Sequence, residues 1–181
     1  MKRIFLSVVF VLVFVLSGCG SVNQKNEAVE PDANEVFREM YSAVTVAASA
    51  NGNEAKFRWK NNTMPFPYQE ASWADVTVFP CDGGTKGRVS LMATTYDQGL
   101  GSKDFSAQVE KVRTAWESRG LRVRDVGSSK NNREIATDLP HGTTVVYSAG
   151  AGGESVEAST ECFAGFKGDE SSAQVYSGEQ A

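Results

Sequence analysis

Few side chains in this sequence of 181 residues could do chemistry, and their spacing narrows what that chemistry is. There are three cysteines, Cys19, Cys81 and Cys162, and one histidine, His141. Cys19 stands beyond an apolar run, with two residues between, which sets it apart from the two distant cysteines. No CxxC pair exists, and a single histidine cannot complete a Cys2His2 set, which argues against a two-cysteine metal site. A Ser-His-acid hydrolase would need His141. That residue stands between Pro140 and Gly142, in a turn, and no Gly-x-Ser-x-Gly precedes a helix. Asp75, Asp82, Asp97 and Asp104 are spread over loops and strand ends without EF-hand spacing. Gly99 and Gly101 only begin a GxG pattern, outside any Rossmann-like context, so no nucleotide site is assigned. A glycosidase needs two acids held about 5–9.5 Å apart, which sequence spacing does not display. No catalytic residue, metal ligand or cofactor follows from these patterns. Trp59 and Trp73, with Met64, Phe66 and Tyr68 of the loop around Pro65 and Pro67, are the candidate lip of a binding groove. The competing reading packs them on the core.

The apolar run before Cys19 supplies the clearest chemistry. Met1-Lys2-Arg3 is basic, and Ile4 to Leu16 is apolar apart from Ser7. That run is too short to span a hydrocarbon core, which takes roughly 20 residues, and has the length of a secretory h-region. It ends in Leu16-Ser17-Gly18-Cys19, which resembles the bacterial lipobox. The resemblance implies a diacylglycerol thioether on the Cys19 sulfur, cleavage before Cys19, and a further amide-linked acyl chain of the palmitate type. Small residues at Ser17 and Gly18 suit a peptidase cleft, and only a thiol can become the thioether. One acyl chain binds a bilayer marginally, at about 0.8 kcal/mol per buried methylene, whereas two or three hold firmly. The implied location is the extracytoplasmic face of the cell membrane, with the membrane itself as a partner through the lipid.

Composition agrees with one small domain. Removing residues 1–18 leaves 163 of the 181 residues, enough for one core and hardly for two. The whole chain carries 18 basic and 22 acidic side chains, or −4. Lys2 and Arg3 leave with the removed segment, so the remainder stands at −6. Mild acidity gives no electrostatic case for nucleic acid or anionic lipid surfaces. With Cys19 given to lipid, Cys81 and Cys162 are most simply a disulfide outside the cytosol; two separate buried thiols are the alternative. Such a bridge closes a loop of about 82 residues and contributes about 4.5 kcal/mol on the chain-entropy account.

The elements that must position these groups follow from periodicity. Residues 19–31 form the lipidated cysteine and a polar tether reaching roughly 17–20 Å as a random coil. The folded domain is expected over residues 32–164, and residues 165–181 as a disordered tail. Val36, Phe37, Met40, Tyr41, Val44 and Ala47 or Ala48 recur at three and four, an amphipathic helix stopped by Asn51-Gly52. Phe105, Val109, Val112 and Trp116 form the buried face of a second helix ended by Gly120, with Arg113 and Glu117 as an exposed pair. Strands are expected over 55–60, 74–80, 88–96, 121–126, 133–139, 143–148 and 154–163, with polar turns at 127–132 and 150–153. Val156, Ala158, Thr160 and Cys162 share one inward face. Arg122 and Arg124 form a solvated sheet face, with anion binding as the alternative. The fold class is therefore α+β: a single antiparallel sheet with two helices packed on one face and one disulfide.

The layout resembles the LppA-like lipoproteins of actinobacteria. The residues carrying the likeness are the Trp59 strand, Cys81-Asp82-Gly83-Gly84, Arg119-Gly120-Leu121, the Gly-rich hairpin and Ser159-Thr160-Glu161-Cys162. In that family the last motif is often Thr-Gly-Cys, and Glu161 departs from it. The resemblance implies a Gram-positive cell surface and the disulfide, and brings no activity. Three function classes follow: a non-catalytic module binding an envelope component or protein partner through the face near Pro65 to Tyr68, a cell-wall hydrolase, or an assembly protein pairing through a sheet edge.

Overall fold

In the computed structural model, residues 32–52, 54–59, 66, 76–95, 105–162, 164 and 174–176 are described. Leu16, Ser17, Gly18, Cys19, the tether, Met64, Tyr68 and Trp73 lie outside them. Helix α1 covers Ala33–Ala50. Its apolar stripe is buried as the spacing requires: Val36, Phe37, Met40, Val44 and Ala48 are fully enclosed. The chain leaves the helix through Gly52, whose φ of 70° is the left-handed conformation that ends helices and that only glycine adopts freely. Helix α2 covers Phe105–Glu117, with Val109, Val112 and Trp116 inside. Gly120, at φ 79°, turns the chain out, and Leu121 N–H returns to the Trp116 carbonyl at 3.2 Å. The two helices are fixed to each other by more than apolar contact. The Trp116 indole N–H donates to the Ala43 carbonyl at 3.0 Å, so a buried polar atom on each helix is satisfied by the other.

The strands are β1 (Phe57–Trp59), β2 (Val76–Cys81), β3 (Lys86–Thr95), β4 (Val123–Ser129), β5 (Asn132–Leu139), β6 (Thr143–Gly150), β7 (Gly153–Ser159) and β8 (Gln174–Tyr176). They form one sheet in the order β4-β5-β6-β7-β3-β2-β8, with β1 also on β3. Every pairing is antiparallel. Strand β3 is the hinge of this arrangement. One edge pairs with β7, and the other is shared: Val89 faces Val78 of β2, and Ala93 faces Trp59 of β1. Both helices lie on the face carrying Val89, Leu91, Ala93, Ile135, Val145, Tyr147, Val156 and Ala158. The opposite face carries half-buried Ser90, Thr94, Thr144, Ser148, Ser155 and Ser159, the alternation expected of a sheet covered on one side. The expected fold class is the observed one.

Several finer expectations are corrected. The turn expected at 127–132 is shorter, because β4 runs to Ser129. Its register against β5 shifts between Asp125 and Gly127. A bulge absorbs the extra residue, Val126, which is 47% exposed, and pairing resumes beyond it. Arg113 does not pair with Glu117. It meets Glu110 at 3.2 Å and Asp125 of β4 at 2.7 Å, because helical side chains lean toward the preceding turn. Gln174–Tyr176, in the stretch expected to lack order, pair with β2 as β8. Cys162 was expected inward on the last strand. Strand β7 ends at Ser159, Thr160 stays buried, and Cys162 is exposed. Thr160 explains the exit. Its N–H donates to the Val89 carbonyl at 3.0 Å, and its hydroxyl accepts from Val89 N–H at 2.9 Å. The side chain thus occupies a ladder position that backbone would otherwise fill. Two residues on, Cys162 is bonded to Cys81 at the end of β2, with 6.1 Å between Cα atoms.

Candidate functional site

The residues expected to form a binding lip divide. Trp59 is 2% exposed and Phe66 4% exposed, with ring centroids 5.2 Å apart. Tyr41 of α1 stacks against both, at 6.2 and 6.5 Å. Phe66 N–H donates to the Phe57 carbonyl at 3.3 Å, which draws that residue onto β1. The lip reading is therefore overturned for Trp59 and Phe66: they fill the space between α1 and the sheet, because burying two large aromatic surfaces there outweighs displaying them. Met64, Tyr68 and Trp73 lie outside the described residues.

Arg124 of the polar sheet face is committed to a carboxylate. Its Nε and Nη2 donate to Asp138 at 3.2 and 3.0 Å, and Thr144 Oγ1 donates to the same carboxylate at 3.0 Å. The Arg124 hydrogen bonds, then that of Thr144, hold the Asp138 carboxyl below the usual carboxylate range.

Two groupings that sequence reasoning missed hold the unusual polar chemistry of the described residues. The first is internal. Glu154 of β7 is 2% exposed and accepts hydrogen bonds at one oxygen, Oε1, from the Tyr147 hydroxyl at 2.5 Å and from Asn51 Nδ2 at 2.7 Å. Asn51 Nδ2 also lies 2.9 Å from the Tyr147 oxygen and 3.4 Å from the Gln108 carbonyl. Glu154 N–H donates to Thr95 Oγ1 at 2.9 Å. Burial, then the neighbouring Glu154 carboxylate, push the Tyr147 phenol well above its ordinary pKa, so it stays a hydrogen-bond donor at any physiological pH. The cluster ties the end of α1 to α2, β3, β6 and β7. Its burial and its hydrogen bonds between separate elements make it a lock rather than a substrate site. Its signal was present in the sequence. Glu154 alternates with Val156 and Ala158, so the same register that turns those residues inward turns Glu154 inward.

The second grouping is at the surface. Pro140–Gly142 form a single tight turn between β5 and β6, with His141 at φ 61° and ψ 30°. This turn lies beside the first two turns of α1. There Glu35, Glu39 and His141 bring one ligand atom each within 4.8 Å of one another. Glu35 and His141 are exposed and Glu39 is half-buried. Glu39 Oε2 is shielded and accepts no hydrogen bond among the described residues. A further carboxylate borders the turn. A Cβ built on Gly142 would fall 2.7 Å from Glu161 Cδ, and Glu161 N–H donates to the Gly142 carbonyl at 3.1 Å. The i, i+4 spacing of Glu35 and Glu39 marks them as neighbours on one helix face. Nothing local announces that the β5–β6 turn folds over them.

No protein-family model matches the chain, and no curated protein and no solved structure matches it.

Proposed function

We propose that this chain is a lipid-anchored module of the bacterial envelope, LppA-like in layout, which binds an envelope component or a protein partner on the extracytoplasmic side without catalysing a reaction. The Cys81–Cys162 disulfide carries the reading. Stable disulfides belong to oxidising compartments, and here the bridge sits in a one-sheet domain whose polypeptide begins with a basic, apolar, lipobox-like segment. The remaining cysteine, Cys19, then has a distinct use as the lipid attachment point. The most deeply enclosed carboxylate among the described residues, Glu154, is engaged by Tyr147 and Asn51 and is 2% exposed, so it is not available to a glycan. A wall hydrolase needs its acids open to a glycan.

The test uses the native protein. Intact mass should show a diacylglyceryl group on Cys19 and loss of residues 1–18, and Cys19→Ser should leave an unprocessed or released chain. An unmodified thiol at Cys19, or an unchanged membrane fraction in the variant, overturns the anchor. Solubilised wild type used as bait should recover one envelope component reproducibly. Turnover of purified peptidoglycan would overturn the non-catalytic reading.

A further inference from the structure

We propose that the corner formed by Glu35, Glu39 and His141 is a binding site for one first-row divalent cation of the Zn²⁺ type. The site is independent of the anchor.

The donor set is the first ground. Two carboxylates and one imidazole come from two separate elements, α1 and the β5–β6 turn, and already face one another within 4.8 Å. Around a tetrahedral Zn²⁺ at about 2.0–2.2 Å, ligand atoms are about 3.3–3.6 Å apart. Side-chain adjustments of about 1 Å close that difference without moving backbone. Glu35 and Glu39, one helical turn apart, need no tertiary rearrangement to point at a common atom.

The state of Glu39 is the second ground, and it is independent of the spacing. A carboxylate oxygen removed from water and left without a donor is costly. Here Glu39 Oε2 is enclosed and meets no hydrogen-bond donor among the described residues. A bound cation supplies what is missing. Glu161 lies against Gly142 of the same turn and places a further carboxylate beside the corner, while Arg38 and Arg119 line the adjoining surface with Glu39 and Pro140.

The choice among metals follows from ligand type. Hard, oxygen-preferring Mg²⁺ and Ca²⁺ seek more carboxyl and carbonyl ligands and gain nothing from imidazole. Thiolate-seeking ions find no sulfur here. Imidazole with carboxylate suits Zn²⁺ and its first-row neighbours. Three protein ligands leave a coordination position open, the pattern of sites that take water or a ligand from outside.

The experiment is a calorimetric titration of the full chain with ZnCl₂, alongside His141→Asn and Glu39→Gln. Asparagine tolerates the left-handed conformation at position 141, so that variant removes the imidazole without imposing new backbone strain. Wild type should bind one ion per chain in the micromolar range, and each variant should weaken binding about tenfold or more, since each removes one ligand of three. Zn²⁺ at about 100 times the wild-type dissociation constant should raise the wild-type melting temperature by several degrees and that of His141→Asn by about half as much or less. With Co²⁺ as probe, the absorption should lack a thiolate charge-transfer band, which separates this site from Cys19. Absence of binding, equal affinity in wild type and both variants, or a thiolate band would each overturn the proposal. Far-UV circular dichroism of the variants confirms that they remain folded.

Discussion

Removing the crosslink by Cys81→Ala together with Cys162→Ala should cost this domain a large part of its stability. Both cysteines must go together, because a single replacement leaves a reactive thiol. The bridged residues are 81 apart in sequence. On the chain-entropy account, a loop of that length loses about 15 cal/mol/K of denatured-state freedom, or about 4.5 kcal/mol at 25 °C. The folded side of the balance should change little. Thr160 is held to Val89 by two hydrogen bonds, at 3.0 and 2.9 Å, so the chain stays in register two residues before the break. The domain over residues 32–162 unfolds with an entropy near 0.28 kcal/mol/K, at about 2.1 cal/mol/K per residue. The loss therefore corresponds to a fall of about 16 °C in Tm. Because the effect lies in the unfolded ensemble, the denaturant m-value should rise as that ensemble expands. Guanidinium unfolding followed by tryptophan fluorescence reads both quantities, since Trp59 and Trp116 are buried. A loss below about 1.5 kcal/mol, with an unchanged m-value, would refute the reasoning, because it would mean that the bridge constrains little of the unfolded chain.

Two further outcomes follow from the polar contacts. Tyr147→Phe removes the hydroxyl that donates to the enclosed Glu154 carboxyl, and should cost about 2–3 kcal/mol in urea unfolding; a loss under about 0.5 kcal/mol would show that the cluster does not lock α1 to the β6–β7 hairpin. Asp138, with its folded pKa depressed by Arg124 and Thr144, stabilises the fold above its unfolded pKa of about 3.9, and that contribution fades as pH falls through the lower folded value. The effect should be small, because the Arg124 and Asp138 side chains are 50% and 60% exposed and solvent screens the pair. A carboxyl-detected NMR titration should place Asp138 below the ordinary aspartate range, and Asp138→Asn should flatten that part of the acid limb. An ordinary or raised value would contradict the pairing.

The fold was legible where one physical pattern governed a long stretch. Val109, Val112 and Trp116 repeat at helical spacing and are buried, and Val156 and Ala158 alternate on β7 and are buried. The pattern failed where a tertiary partner decided. Arg113 chose Asp125 of β4, which no helical rule could reveal. Phe66 sat in a proline-rich stretch that suggested display, yet Tyr41 and Trp59 offered it a nearby enclosed surface. Strand order was beyond reach, because β2 and β1 both pair with one edge of β3 and sequence alternation says nothing about how an edge is shared. The corner at Glu35, Glu39 and His141 was half legible. The helix pair could be placed side by side from spacing, but the third ligand arrives from a turn about 100 residues later, where only the closed sheet brings it to α1.

Helix α1 joins two distant parts of the domain. Everything upstream of Asp32 joins at the first turn of this helix, immediately before Glu35. At 1.5 Å per residue, the 18 residues of α1 run about 27 Å to Asn51, which meets Tyr147 and Glu154 near the β6–β7 turn. The glutamate corner therefore stands at the end of α1 where the chain enters the domain, about a helix length from the Asn51 cluster. The Ala151-Gly152 hairpin tip lies toward the opposite end of that helix, beside the Asn51 contacts.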